Sequence, residues 1–285
     1  MLAEQSHYSI YRRLVTQLLH DQEQLPSLPA ITLEIRRALS DDHLNIASLV
    51  GLISRDPALS ALLMKHASSP LYRQAQPPRS LHDVINLIGM AEVGRITMLH
   101  SVKSLFTLHT PAHKRMFLDA WERLVTKAST CAMLARLVGR ISAEHALLAS
   151  LLSEVGSLAI LSSFKSAKEI PTSELYISLC REFSRSLGVI VLKKWSVSEP
   201  YIEVIREAGN WQYSPGVGLQ LIDLVNLALH HNSISQGPDA DLPPLTQLAA
   251  FQKLPPPHNQ VEANGELSLL TQHQSAIHAL AQTLR

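Results

Sequence analysis

The segment DPALSALLMKHA, residues 56–67, carries the clearest secondary-structure signal of the chain. Asp56 can accept hydrogen bonds from the free backbone N–H groups of a first helical turn. Pro57 suits the first helical position, because the N–H group that proline lacks has no helical partner there. Apolar residues and His66 then recur at the spacing of one helical face. The segment therefore predicts a helix that begins directly after Asp56 and packs through one side.

Similar helix boundaries recur on both sides of this segment. Asn45 precedes an apolar helical pattern as a capping residue, and residues 80–83 resemble a capping box with Asp83 in place of the usual Glu or Gln. Gly89 and Gly139 end helical patterns. No stretch of four to eight residues alternates cleanly between apolar and polar side chains, so strand signals are weak. We predict an all-α fold.

The composition and charge exclude several classes of protein. Of the 285 residues, 46% are hydrophobic and 17% are charged, which is typical of a globular protein and not of a disordered chain. The 25 basic and 24 acidic residues give a formal net charge of +1. Nucleic-acid-binding domains usually carry a basic stripe, and none is visible in this sequence. We expect no nucleic-acid partner.

The cysteines and the apolar segments indicate where the protein resides. Cys131 and Cys180 lie inside helical patterns without metal-ligand spacing, which predicts buried free thiols. The most apolar region, residues 146–161, contains Glu154 and is too short to span a bilayer. The first residues do not have the charged and then apolar pattern of a signal peptide. We expect a cytoplasmic protein without membrane contact.

Two long stretches resemble a known family. Residues 25–98 resemble the amino-terminal half of HDOD domains, with four motifs in the family's order: LPSLP (25–29), ISRDPAL (53–59), ASSPLY (67–72) and INLIG (85–89). The second stretch, residues 115–230, resembles the HD phosphohydrolase bundle on which HDOD domains are built. Its matching segments are WERLVTKASTCAMLARLVG (121–139), ALLASLLSEVGSLAIL (146–161) and LGVIVLKKWSVSEPYIEVI (187–205).

The resemblance implies an HD-domain-like helical bundle with an additional amino-terminal helical subdomain. The HDOD domain would cover residues 25–231, with the subdomain at 25–110 and the degenerate HD-like bundle at 111–231. Residues 1–24 read as a separate amphipathic helix. Residues 232–285, rich in Pro, Asn and Gly, are expected to form a polar connector followed by an amphipathic carboxy-terminal helix.

The positions that hold metal in HD phosphohydrolases carry other residues in this sequence. Such enzymes need imidazole and carboxylate ligands that bind divalent metal and activate water. The resemblance places Arg123 at the first helix histidine, Ser153 and Glu154 at the His-Asp pair, and Ser184 at a later histidine. Other residues also stand at positions that the family pattern fills with polar groups: Ser157, Ala208, Gly209 and Leu229. The resemblance therefore implies no metal, no cofactor and no catalysis.

Arg123 and Glu154 have two interpretations, because on the family fold they converge in the former active-site pocket. They can form a buried ion pair that plugs the pocket, since arginine and carboxylate groups suit such a contact. Alternatively, Arg123 can bind a phosphate of a nucleotide second messenger. None of the 14 histidines stands at a spacing that favours a metal site elsewhere.

We therefore expect a non-catalytic bacterial signal-transduction module that acts through protein contacts. The resemblance implies partners such as a response regulator, a diguanylate cyclase or phosphodiesterase, or a kinase. One alternative is a sensor that binds a nucleotide or another anion in the vestigial pocket, and a second is a weak phosphohydrolase. The terminal segment 267–284 either packs on the bundle or binds a partner.

Overall fold

The computed structural model describes residues 29–41, 43–68, 72, 78–105, 111–164, 171–195, 197–236 and 242–284, together with Ser9, Arg12, Val15 and Thr16. Helices dominate these ranges, whose only β interaction is an isolated bridge between Val261 and Leu267. The prediction of an all-α fold is confirmed. The helix predicted over residues 1–24 lies outside the described residues, apart from the four single positions.

The helices follow one another through short connections. In chain order they are α1 (Ala30–Leu39), α2 (Ile46–Ile53), α3 (Pro57–Ala67), α4 (Leu81–Ile88), α5 (Met90–Leu105), α6 (Pro111–Val138), α7 (Ala143–Leu152), α8 (Val155–Ser163), α9 (Ser173–Lys194), α10 (Glu199–Glu207), α11 (Leu221–Gln236), α12 (Ser268–Thr271) and α13 (Gln274–Leu284). Two single 3-10 turns, Leu245–Gln247 and Phe251–Lys253, lie between α11 and α12. No helix in the described ranges is long and apolar enough to cross a membrane.

These elements form two compact units. The amino-terminal unit contains the described parts of residues 28–105 and 275–285. The central unit contains the described part of residues 106–274. Each unit has its own buried apolar side chains, including Ile35 and Leu63 in the amino-terminal unit and Leu134 and Phe164 in the central unit.

The predicted helix starts are confirmed in the amino-terminal unit. The Asp56 carboxylate accepts hydrogen bonds from the backbone N–H groups of Ala58 and Leu59, each at 3.0 Å. Asn45 and Ser80 cap α2 and α4 in the same way, through their side-chain oxygens. Each cap satisfies donors that the first helical turn leaves free, so these short helices have defined beginnings.

A buried polar cluster lies inside the amino-terminal unit. The Glu92 carboxylate is almost fully buried, and it accepts a hydrogen bond from Arg95 Nε at 2.8 Å. His66 Nε2 lies 3.1 Å from the other Glu92 oxygen, and Tyr72 OH lies 3.3 Å from the same ring nitrogen. A buried carboxylate is costly unless it is paired, and Arg95 and His66 supply its partners. The cluster thereby joins α3 to α5.

The predicted carboxy-terminal helix is present as α13, but the region before it contains more packed residues than a polar connector would. Residues 242–274 pack in the central unit, whereas residues 275–284 pack in the amino-terminal unit. Lys253 Nζ lies 3.1 Å from the buried Asp223 carboxylate and also donates to the Pro215 and Gly218 carbonyls. The overall composition of this region is polar and therefore predicts a linker. Leucine side chains within it are nevertheless buried in the central unit: Leu245, Leu248, Leu254, Leu267 and Leu270.

The backbones of α8 and α9 approach each other closely at Gly156. A Cβ atom added at Gly156 would lie 1.8 Å from the Ser184 carbonyl oxygen and 2.9 Å from the Gly188 amide nitrogen. Neither neighbour is a flexible side-chain end, so the helices themselves would have to move apart. Glycine at this position therefore sets the spacing of α8 and α9.

We expect Gly156→Ala to destabilise the central unit by about 3 kcal/mol, because overpacking against backbone cannot be relieved by a rotamer change. Gly218→Ala is the matched control. An added Cβ there meets nothing within 4 Å, and the change should stay within about 0.5 kcal/mol. Urea unfolding followed by circular dichroism measures both variants. Equal stabilities of the two would contradict the tight contact.

Candidate functional site

A pocket of about 290 Å³ lies within the central unit, among α6, α8, α9 and α11. Polar and charged side chains occur on several of its walls, and apolar side chains lie between them. The lining residues are Ala120, Arg123, Leu124, Lys127, Glu154, Ser157, Leu158, Tyr176, Ile177, Cys180, Arg181, Leu229, Asn232 and Ser233. This pocket lies where the resemblance places the former active site.

An ion pair joins α6 to the turn before α8. Lys127 Nζ lies 2.5 Å from Glu154 Oε1 and donates a second hydrogen bond to Ser153 Oγ at 3.0 Å. Glu154 Oε2 accepts a further hydrogen bond from Ser157 Oγ at 3.2 Å. The Lys127 side chain is only 6% exposed, whereas the Glu154 side chain retains 38% of its exposure. The ammonium group is therefore held inside the bundle, while the carboxylate still contacts solvent.

The expected ion pair between Arg123 and Glu154 is corrected by this arrangement. Arg123 lines the pocket but is exposed, and the ion-pair partner of Glu154 is Lys127, one helical turn further along α6. Lys127 reaches the carboxylate because its position on α6 is buried against α7 and the following turn. The sequence contains a signal for the burial of Lys127. This lysine lies within the helical segment ERLVTKASTCAML, between positions that are mostly apolar.

The other predicted site residues are only partly brought together. Ser153 ends α7 and contacts Lys127, so it belongs to the same cluster as Glu154. Ser184 lies on α9 but outside the pocket lining, and its carbonyl oxygen faces Gly156 instead. The structure therefore places Arg123, Ser153 and Glu154 at or beside the pocket and Ser184 in the helix contact behind it.

The charge state of Glu154 follows from opposing effects. Burial raises the pKa of this carboxyl, but the charge and hydrogen bond of Lys127, the Ser157 hydroxyl and the charge of Arg123 together outweigh burial. The pKa of Glu154 is therefore lower than its ordinary value. The group stays ionised at neutral pH, so it cannot act there as a general acid.

Tyr176 and Cys180 form part of the α9 wall of the pocket. Tyr176 OH donates a hydrogen bond to the Ser157 carbonyl at 3.2 Å, and burial raises the pKa of this tyrosine. Burial also raises the pKa of the Cys180 thiol to about 11, so the thiol is protonated at neutral pH. Cys180 is only partly buried, which corrects the prediction of two buried thiols, whereas Cys131 is fully buried.

The residues of this pocket do not fit the divalent metal of HD phosphohydrolases. Such metals require several imidazole or carboxylate ligands, and Glu154 is the single carboxylate among the described residues of the lining. Its Oε1 atom is already in contact with the Lys127 ammonium, which would repel a cation. Within the described ranges, no group of three or more His, Cys, Asp or Glu side chains is arranged to hold a metal.

Comparison with protein families and sequences identifies relatives of the chain. The family model of the HDOD domain matches residues 25–211, which is more than half of the chain. An uncharacterized protein of Treponema pallidum (strain Nichols) is 24% identical over 221 residues. That match covers 72% of this chain but only 42% of the relative, so the chain spans less than half the length of that relative.

Solved structures share the fold over nearly the whole chain. A candidate metal-dependent phosphohydrolase from Shewanella amazonensis is 19% identical, with a TM-score of 0.79 and coverage of 98% of this chain and 99% of that chain. An HDOD domain protein with unknown function from Geobacter sulfurreducens is 18% identical, with a TM-score of 0.67 and coverage of 98% and 97%. A candidate signal transduction protein from Marinobacter aquaeolei is 19% identical, with a TM-score of 0.60 and coverage of 98% and 66%. The predicted HD-like helical fold is confirmed.

Removal of the Lys127 ammonium should destabilise the central unit in a pH-dependent way. In the wild type the lowered pKa of Glu154 contributes stability above the unfolded-state pKa, and this contribution is lost as the pH falls through the folded-state pKa. In Lys127→Met, burial dominates and raises that pKa, so the site should disfavour folding as the pH rises. We expect a loss of roughly 2 kcal/mol at neutral pH, less than for a fully enclosed pair because Glu154 contacts solvent.

The matched control for this variant is Lys193→Met, which removes an exposed lysine from α9 and should change stability by less than about 0.5 kcal/mol. Urea unfolding at neutral pH and near pH 4 measures both variants. The double variant Lys127→Met with Glu154→Gln should recover part of the loss. A Lys127→Met difference that is small at neutral pH, or that grows on acidification, would contradict the assigned pair.

Proposed function

The chain belongs to the HDOD family, and we propose that it is a non-catalytic signal-transduction module that acts through contacts with other proteins. The observation that carries this proposal is the contact of Lys127 Nζ with Glu154 Oε1 at 2.5 Å. It places a fixed positive charge against a carboxylate of the pocket, the single one that the described lining residues supply. An HD phosphohydrolase would need a divalent metal at such a carboxylate.

The remaining pocket groups also argue against catalysis at neutral pH. The lowered pKa of Glu154 keeps it ionised and paired with Lys127. The raised pKa values of Tyr176 and Cys180 keep both groups protonated, so neither is an activated nucleophile or base. A hydrolase would require at least one group that changes its protonation near the working pH or a metal that activates water.

The signalling part of the proposal draws on the family and on one structural neighbour, the candidate signal transduction protein of Marinobacter aquaeolei. The proposed partners are a response regulator, a diguanylate cyclase or phosphodiesterase, or a kinase. A module without catalysis transmits a signal only by changing what it contacts, so a partner protein is a necessary part of this function.

A second candidate function, sensing of an anionic ligand, is favoured by a specific feature of the pocket. Arg123 and Arg181 line it, and neither is ion-paired with a carboxylate of any described residue. An arginine that lines a pocket without such a partner suits a phosphate or carboxylate ligand. This function is compatible with the first, because a ligand can control the contact with a partner.

We expect no hydrolysis of bis(p-nitrophenyl) phosphate or of cyclic di-GMP by the purified chain with Mn²⁺ or Mg²⁺. Release of p-nitrophenol and chromatography of the nucleotide measure turnover, with an active phosphodiesterase as positive control. Glu154→Gln distinguishes contamination from activity of this chain. Metal-dependent turnover that this variant abolishes would refute the non-catalytic proposal and favour a weak phosphohydrolase.

Partner contact is tested by capture of the tagged chain from a bacterial extract after brief crosslinking, with mass spectrometry of the bound proteins. The expected result is enrichment of response regulators, cyclic-dinucleotide enzymes or kinases over an unrelated helical bait of similar size. Recovery of the same proteins with both baits, or of no signalling protein, would count against the proposed role.

A further inference from the structure

We propose that the pocket of the central unit binds a small phosphomonoester with an apolar portion, up to the size of a mononucleotide. This inference rests on the sensing function above and specifies its ligand. It assigns Arg123, Arg181 and Asn232 to the phosphate and the Ile177 side of the pocket to the apolar portion. All four residues line the same pocket.

The charges of the pocket favour an anion. In the part of the chain that the structure describes, the charged lining residues are Arg123, Lys127, Arg181 and Glu154, whose charges sum to +2. Because Lys127 is engaged by Glu154, the surplus positive charge lies on Arg123 and Arg181. These two arginines come from different helices, α6 and α9, so a ligand between them can be contacted from two directions. A dianionic phosphate offers enough oxygens for two guanidinium groups.

Asn232, which lines the same pocket, carries a buried donor without a partner among the described residues. The side-chain oxygen of Asn232 accepts a hydrogen bond from Thr130 Oγ1 at 3.3 Å. Its side-chain nitrogen Nδ2 is buried and has no hydrogen-bond partner among the described residues. A buried donor left unsatisfied is costly, and rotation of the Asn232 carboxamide towards a ligand acceptor would remove that cost. A phosphate oxygen is such an acceptor, and the same donor would not favour a cation.

The apolar side of the pocket favours a ligand that carries an apolar portion in addition to its phosphate. Ile177 lines the pocket with a side chain that is about half exposed, at 51%. Leu124, Leu158 and Leu229 are further apolar lining residues. Leu124 and Leu158 are already buried, so a ligand with an apolar portion would gain chiefly from removal of the Ile177 side chain from water. Inorganic phosphate would leave Ile177 exposed.

The size of the pocket limits the ligand. Its volume of about 290 Å³ lies just below the range of roughly 300–1,000 Å³ that is typical of small-molecule sites. A mononucleotide or a smaller phosphomonoester matches this volume. A cyclic dinucleotide, with two bases and two sugars, would extend well beyond the lining residues. The pocket therefore favours the smaller class of ligand.

The test is isothermal titration calorimetry of the full chain with phenyl phosphate and with AMP, at low ionic strength. We expect saturable binding at one site for at least one of these probes, and weaker binding of phenol, adenosine and inorganic phosphate. Arg123→Gln and Arg181→Gln should each lower the affinity by about tenfold, because each removes a charged hydrogen-bond donor. Asn232→Asp, which replaces the free donor by a carboxylate, should lower it at least as much.

The matched control is Arg140→Gln, which removes an exposed arginine of the same unit outside the pocket and should leave the affinity unchanged. The inference is overturned if the folded wild type binds neither phenyl phosphate nor AMP, or if Arg140→Gln weakens binding as much as the pocket variants do. Circular dichroism verifies that each variant is folded. Release of phenol from phenyl phosphate would instead overturn the non-catalytic proposal and leave the binding site in place.

Discussion

The ion pair between Lys127 and Glu154 determines the position of the turn before α8 and which charged side chains of the pocket remain unpaired among the described residues. It links the middle of α6 to the turn between α7 and α8, and Ser153 and Ser157 on either side of Glu154 complete its hydrogen bonds. A buried cation without a partner would be very unfavourable, so this turn must stay where the ammonium can reach it. That requirement positions Glu154 in the pocket lining and the start of α8 directly after it.

Such a pair specifies a structure more than it stabilises one. Burial of two charges costs solvation energy that their attraction only roughly repays, and apolar side chains of similar volume often serve stability as well. The contribution of Lys127 is therefore best understood through geometry. It places an ammonium group where a metal ion would otherwise meet the Glu154 carboxylate, and the close approach of α8 and α9 at Gly156 keeps the turn from shifting away.

The sequence predicted local features well and distant contacts poorly. The caps at Asp56, Asn45 and Ser80 depend on backbone groups within three residues, so residue type and spacing suffice to predict them. The pairing of Lys127 with Glu154 joins positions 27 residues apart. It depends on how far α6 is displaced along its axis relative to the turn after α7, and the apolar pattern does not distinguish two positions that share a face one turn apart. Arg123, one turn away, was therefore an equally reasonable partner.

The correction at this pair changes the meaning of the pocket. If Arg123 had satisfied Glu154, part of the surplus positive charge would lie on the buried Lys127, where a ligand could not reach it. Because Lys127 neutralises the carboxylate from inside the bundle, Arg123 and Arg181 remain as uncompensated charges in the lining. Two charges of one sign in a confined site repel each other and raise the local potential, and an anion relieves both effects. The charged residues that line the pocket therefore favour an anion over a cation.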